Sequence, residues 1–190
     1  MKRKLIIAFI PLLLLLAVLS LSGVGPQHQL SVCVMDVGQG ECIVLQTPDH
    51  KVIVIDCGST SGRNGGRRAS HVALNYIRSM GKSTIDLAIL THPHNDHMNG
   101  FPELLKRIPA KRIMDIGISS SDSDYCEYMS AVSKSRAKYV NAKTGLNVNL
   151  GNDIKVDILN PDPKNVYPNL NENSMVLRVI YKKISFLVAG

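Results

Sequence analysis

The sequence predicts an α+β fold in which two β-sheets pack face to face with helices on the outside. Two observations predict it: patterned strands outnumber helices, and the helices come singly between groups of strands rather than alternating with every strand. At 190 residues the chain is long enough for one domain with a sizeable core, and two would be a squeeze.

Taken in order, the chain opens with Lys2, Arg3 and Lys4 ahead of an apolar run over residues 5–24. A basic start followed by such a run is an export signal, and the run is also just long enough to span a bilayer at about 20 residues. Residues 1–24 therefore read as a cleaved signal peptide or an uncleaved membrane anchor, residues 25–29 as a linker, and residues 30–190 as the folded domain, lying outside the cytoplasm. Alternation predicts strands over 30–37, 42–46 and 51–55, with Pro48-Asp49-His50 as the turn between the last two. The Gly/Ser/Arg stretch 58–68 predicts a loop. Apolar positions Val72, Ala73, Tyr76, Ile77 and Met80 then recur at helical spacing until Gly81.

A short apolar strand over 85–90 leads directly into a histidine-rich loop. Beyond it the pattern predicts a helix over 101–107 with Pro102 in its first turn, a strand over 112–116 and a helix over 125–135 behind polar capping residues. Strands follow over 139–142, 146–150 and 154–159. A Pro/Asn-rich loop over 161–173 precedes a hairpin of 176–181 and 184–188 across Lys182-Lys183.

Composition narrows the function classes. The chain has no Trp and 5% aromatic residues, which argues against a carbohydrate-binding or base-stacking aromatic surface as its main business. Its formal charge of +7 falls to a mild excess without the three basic residues at the start, and that excess does not imply a nucleic-acid partner. Cys33, Cys42, Cys57 and Cys126 show no CxxC spacing and read mainly as free, buried thiols.

Chemistry concentrates in Thr91-His92-Pro93-His94-Asn95-Asp96-His97. Three of the six histidines and one carboxylate fall within six residues at the end of a buried strand. Imidazole and carboxylate are ligands of Zn²⁺ and its first-row neighbours. In an irregular loop His92 and His94 can turn toward one ion, while Asp96 and His97 reach a second across the bend. Two ions about 3.5–4 Å apart activate water and clamp both oxygens of a displacement.

Thr-His-x-His-x-Asp-His after a hydrophobic strand resembles the metal motif of the metallo-β-lactamase superfamily. Met35-Asp36-Val37-Gly38-Gln39-Gly40-Glu41, followed by Val54-Ile55-Asp56-Cys57-Gly58, is similar to the opening of its competence-protein (ComEC-like) branch, with Glu41 where that branch has Asp. Asn173-Ser174-Met175-Val176-Leu177 and Phe186-Leu187-Val188-Ala189-Gly190 resemble two later segments of the same branch. The resemblance implies an αββα sandwich, C-terminally incomplete, because the Asp and the His-containing motif that follow in the branch have no counterpart here.

The resemblance also implies roles. His92 and His94 are ligands of a first metal; Asp96 and His97 are ligands of a second and carry the catalysis. Asp56 and Asp36 are either carboxylates that steady ligand imidazoles or structural turn residues. Arg63, Arg67 and Arg68, with Asn173, are candidates for holding substrate. Zinc is the expected metal, two ions in a complete protein, with manganese or iron as alternatives. The expected activity is that of an exported metal-dependent hydrolase, first a phosphodiesterase with DNA as a candidate substrate. A phosphocholine or cell-wall ester hydrolase is the second reading, and an inactive membrane-tethered binding module the third. The only partners expected are the substrate and, through the N-terminal segment, the membrane; no protein partner is expected.

Overall fold

The computed structural model describes residues 29–151, 153–162, 164 and 167–190. The basic and apolar segment 1–24 and the linker up to residue 28 lie outside the described residues. Among those described, no helix is long and apolar enough to cross a membrane.

Six strands form the first sheet, in spatial order β1 (Ser31–Val34), β2 (Ile43–Gln46), β3 (Val52–Ile55), β4 (Leu87–Ile89), β5 (Arg112–Asp115) and β6 (Lys138–Asn141). The first three pair antiparallel, and β3 through β6 pair parallel. Parallel strands are covered on both faces, and β3 and β4 accordingly carry unbroken apolar sequence, Val-Ile-Val-Ile and Leu-Ala-Ile, with every residue buried.

Alternation then sorts the side chains into two cores. Val44, Val52, Val54, Ala88 and Ile113 face α1 (Gly65–Ser79), α3 (Phe101–Arg107) and α4 (Ser123–Ser135). Ile43, Leu45, Ile53, Ile55, Leu87 and Ile89 face the second sheet. That sheet is antiparallel and ordered β10 (Ile184–Ala189), β9 (Val176–Tyr181), β8 (Ile154–Asn160) and β7 (Asn147–Asn149), and it contributes Val156, Ile158, Leu177 and Val179 to the same core. The two-sheet packing with helices outside is therefore present. The outer face of the four-stranded sheet carries no helix among the described residues, so three layers of the α-β-β-α order are seen.

Two expectations need correction. The stretch 58–68 is a loop only in its first part, since α1 starts at Gly65. Gly65 and Gly66 are buried against Ser59 and Asn99, and this tertiary packing overrides the poor helix propensity of the pair. The histidine-rich segment is likewise not irregular throughout: Asn95–Met98 forms one helical turn, α2, with His94 at its N-cap. The four cysteines are free, but burial is complete only for Cys42 and Cys57, and Cys126 is exposed on α4.

Candidate metal centre

The histidine-rich segment leaves β4 at its carboxyl end, beside the carboxyl end of β3, where Asp56 sits with a positive φ of 53°. Asp and Asn tolerate this left-handed conformation better than other side-chain-bearing residues. It turns the Asp56 carboxylate away from the strand face and toward the segment.

Asp56 is completely buried and accepts three hydrogen bonds. Its Oδ1 takes the Thr91 N–H at 2.7 Å; its Oδ2 takes the Thr91 hydroxyl at 2.7 Å and the His97 Nδ1–H at 2.7 Å. Having donated its proton, Thr91 Oγ1 must accept from His92 Nδ1, 3.0 Å away. One carboxylate thus fixes two imidazoles, His97 directly and His92 through Thr91. In both, Nδ1 carries the proton and the Nε2 lone pair is left for a ligand. This is the outer support that metal-binding histidines require.

His92 Nε2 lies 3.0 Å from His94 Nδ1, so two ring nitrogens converge on one point, and the His92 and His97 rings are 4.2 Å apart between centroids. The Asp96 carboxylate makes no side-chain hydrogen bond among the described residues, yet its charge acts on both His92 and His97. Imidazole and carboxylate are donor types that a divalent first-row ion takes. Among the described residues the trio whose donor atoms lie within 4.8 Å of one another is Glu41, Asp56 and His97, and beside it His92 and His94 bring one ring nitrogen each to 3.0 Å. Within the trio Asp56 is already committed to Thr91 and His97, which leaves it less free to ligate than its neighbours.

Electrostatics set the protonation of the candidate ligands. Burial, helped by the nearby His97 and His94, holds the His92 pKa down at about 4, so its ring is neutral at pH 7. Burial also pulls on His97, but the hydrogen bond and charge of Asp56, with Asp96 and Glu41, more than offset it and leave its pKa raised. Burial, reinforced by Asp56, lifts the Glu41 carboxyl to about 7.

Backbone clamps hold the segment in place. Glu41 N–H donates to Asp96 O at 3.1 Å, Cys57 N–H to His97 O at 2.8 Å, and Gly100 N–H to Cys57 O at 2.7 Å. A Cβ at Gly40 or Gly58 would run into the backbone of Asp96, and at Gly58 also into that of His97, so only glycine lets these two loops seat against α2. From the second sheet, Met175 N–H donates to Thr91 O at 2.9 Å, and Gly190 packs on the Thr91 side chain. Behind the carboxylates, the neighbouring Cys42 thiol together with burial raises the pKa of the buried Cys57 thiol well above the ordinary value.

The remaining candidates fall in different places. Arg63 and Arg67 line a cavity of about 390 Å³ together with Asn95, Asn99 and Asp124, immediately beside α2. Arg68 is not with them: it turns toward Asp36, 4.0 Å away. Asp36 is not brought to the histidines either, since its side chain is 91% exposed and accepts the Gly38 N–H. Asn173 is buried, and its amide is taken up within its own loop by the Tyr167 N–H and by the carbonyls of Tyr167 and Asn169.

Sequence reasoning missed two participants: Glu41, and Thr91 as the relay to His92. Glu41 alone carried a signal, as the acidic end of the Asp36-to-Glu41 motif.

A two-sheet sandwich with a histidine and aspartate segment at the ends of its central strands defines the class of metallohydrolase-type folds. The sequence model of the metallo-beta-lactamase superfamily matches residues 35–165, and the chain belongs to that superfamily. Among solved structures it is similar to the metallo-beta-lactamase fold protein YhfI from Bacillus subtilis, at 15% identity and a TM-score of 0.55, covering 82% of this chain and 56% of that one. It is also similar to a metallo-beta-lactamase from Cronobacter sakazakii with a mutated HARLDQ motif, at 16% identity and a TM-score of 0.53, covering 88% and 62%. These identities speak for the fold, and the chain spans less than two thirds of either structure. No curated protein matches the sequence.

Proposed function

We propose that this chain carries the metal-binding part of an exported metallohydrolase that cleaves phosphodiesters, with DNA among its substrates. The observation that carries the reading is the convergence of His92 Nε2 and His94 Nδ1 on one point beside a His97 ring oriented by Asp56. His92, His94, Asp96 and His97 would hold the metal, zinc by donor chemistry. A bound ion of this kind supplies a water of lowered pKa and a positive charge for the phosphoryl oxygens.

The rest falls to the chain's own residues. Asp56 and Thr91 keep both imidazoles in one tautomer, which spares the site reorganisation as charge develops. Arg63 and Arg67 line the cavity beside α2 and would supply cations for phosphates flanking a scissile bond. The basic and apolar segment 1–24 supports export, and the opening motif of residues 35–41 supports the competence-protein branch.

The test uses the full chain, stripped of metal and reconstituted with zinc. Cleavage of bis-p-nitrophenyl phosphate and single-stranded DNA that requires zinc and is abolished by EDTA is the expected result. Turnover of phosphocholine esters alone would move the substrate to the cell-wall class. Stoichiometric zinc with no turnover of any ester would leave a metal-holding module.

A further inference from the structure

A second cavity, of about 410 Å³, opens at the carboxyl ends of the parallel strands β5 and β6, on the other side of the histidine segment from Arg63 and Arg67. In open parallel sheets ligands bind in the crevice beyond the carboxyl ends of the strands. Ile116, Gly117 and Ile118 form one wall, and the same three residues line the space beside His92 and Pro93, so a single layer of chain separates the cavity from the candidate metal centre. Gly117, at φ 67°, makes the turn that exposes this wall, and the Asn141 amide is packed where its side chain would be.

The walls are fixed rather than loose. Ala142 N–H donates to Asp115 O at 2.7 Å, and the Thr144 hydroxyl donates to Pro161 O at 2.6 Å, pinning the opposite wall. Ile116, Ile118, Ala142 and Pro161 give the cavity an apolar wall, and Asn141, Lys143, Asp162 and Asn173 give it a polar one. The Asn173 amide is used within its loop, and Asp162 Oδ1 accepts the Lys164 N–H. The Lys143 ammonium is exposed at the rim and forms no ion pair among the described residues. A preformed slot with an apolar wall and a cation at its rim is the pattern of a site for a ring-bearing ligand with an anionic substituent.

The geometry points to a nucleoside subsite: Ile116, Ile118 and Pro161 seat the base and sugar of one nucleotide unit of the substrate, and Lys143 takes its outer phosphate. This deepens the phosphodiesterase reading and rests on it. An aliphatic slot suits a chain poor in aromatic residues, where bases have no stacking surface.

The experiment is equilibrium binding of thymidine 3′,5′-bisphosphate to the full chain in EDTA, which needs neither metal nor turnover. Saturable binding is expected, weakened about tenfold or more by Ile118→Arg, which fills the slot, and to a similar extent by Lys143→Ala, which removes one charged contact. Lys143→Ala should also abolish the preference for the bisphosphate over thymidine 5′-monophosphate. Lys143 is exposed, so its variant stays informative if Ile118→Arg fails to fold. Absence of saturable binding, or binding that neither variant changes, would overturn the subsite. Failure of zinc-dependent cleavage alongside intact, variant-sensitive binding would instead count against the hydrolase reading.

Discussion

Asp56 Oδ2 lies 2.7 Å from His97 Nδ1, and the same oxygen receives the Thr91 hydroxyl, so both hydrogen bonds demand an acceptor. Asp56→Asn keeps the shape and tolerates the positive φ but offers two N–H donors where acceptors are needed. The variant should fold and lose zinc affinity by about 10–100-fold, measured by chelator competition. Unchanged affinity would remove Asp56 from the support of the site.

Thr91→Val is nearly isosteric and removes only the relay to His92. Asp56 then loses one buried hydrogen bond, and the His92 Nδ1–H is left without its acceptor. Stability should fall by about 1–3 kcal/mol in urea unfolding. Nitrogen chemical shifts of the metal-free protein should show His92 as a mixture of tautomers, where the wild type shows one.

Among the groups that set the acid dependence of the metal-free chain, His92 and Glu41 oppose each other. His92 is held at about 4, below its ordinary value near 6.5, so the unfolded state binds more protons between those limits and stability from this group falls as pH drops through them. Glu41 is lifted to about 7 from near 4.5, so the folded state binds more protons in that window and stability from this group falls as pH rises through it. The two windows overlap between pH 4.5 and 6.5 and their contributions oppose each other there, with the buried Asp56 carboxyl, also raised by burial, acting in the same direction as Glu41. Glu41→Gln removes part of that side, so the variant's urea midpoint should gain on wild type as pH rises over that range. A Glu41→Gln profile parallel to wild type would show that the two groups do not offset each other.

Gly58→Ala places a methyl group against the backbone of Asp96 and His97. Neighbouring backbone cannot yield as a side-chain tip would, so the loop or α2 must shift, at a cost of about 1–3 kcal/mol. Weaker zinc binding should accompany the lost stability. Gly62→Ala, in the same loop, meets no neighbouring atom but adds a side chain at φ 72°, so it controls for backbone strain without the clash.

How much of this was legible in the sequence follows from what each feature depends on. His92, His94, Asp96 and His97 were legible because their spacing within one short segment is itself the signal. The strands were legible because apolar alternation matches the two faces that the sheets bury, as with Val54 on the helix side and Ile53 and Ile55 on the other. Thr91 as a relay was not, because it depends on β3 and β4 being neighbours and on Asp56 leaving its strand with a positive φ. Nor could spacing tell which asparagine of the turn Asn171–Asn173 points inward: Asn173 is the buried one, and its amide braces the loop. The three arginines separate for a similar reason. Once α1 begins at Gly65, Arg68 lies on a different side of the helix from Arg67.

The pairing of Asp56 with Thr91 also makes the centre a check on strand register. Asp56 N–H donates to Ile89 O at 2.8 Å, and Ile55 stands opposite Ile89 across the parallel pair. A slip of one residue would carry Asp56 away from Thr91 and reverse the faces of β4. Only correctly paired chains then present ordered imidazoles, and an ion that binds them stabilises that pairing in proportion to its affinity. Zinc should accordingly slow amide exchange at Asp56 and Leu90 more than in α4, coupling metal supply to the proofreading of the central sheet.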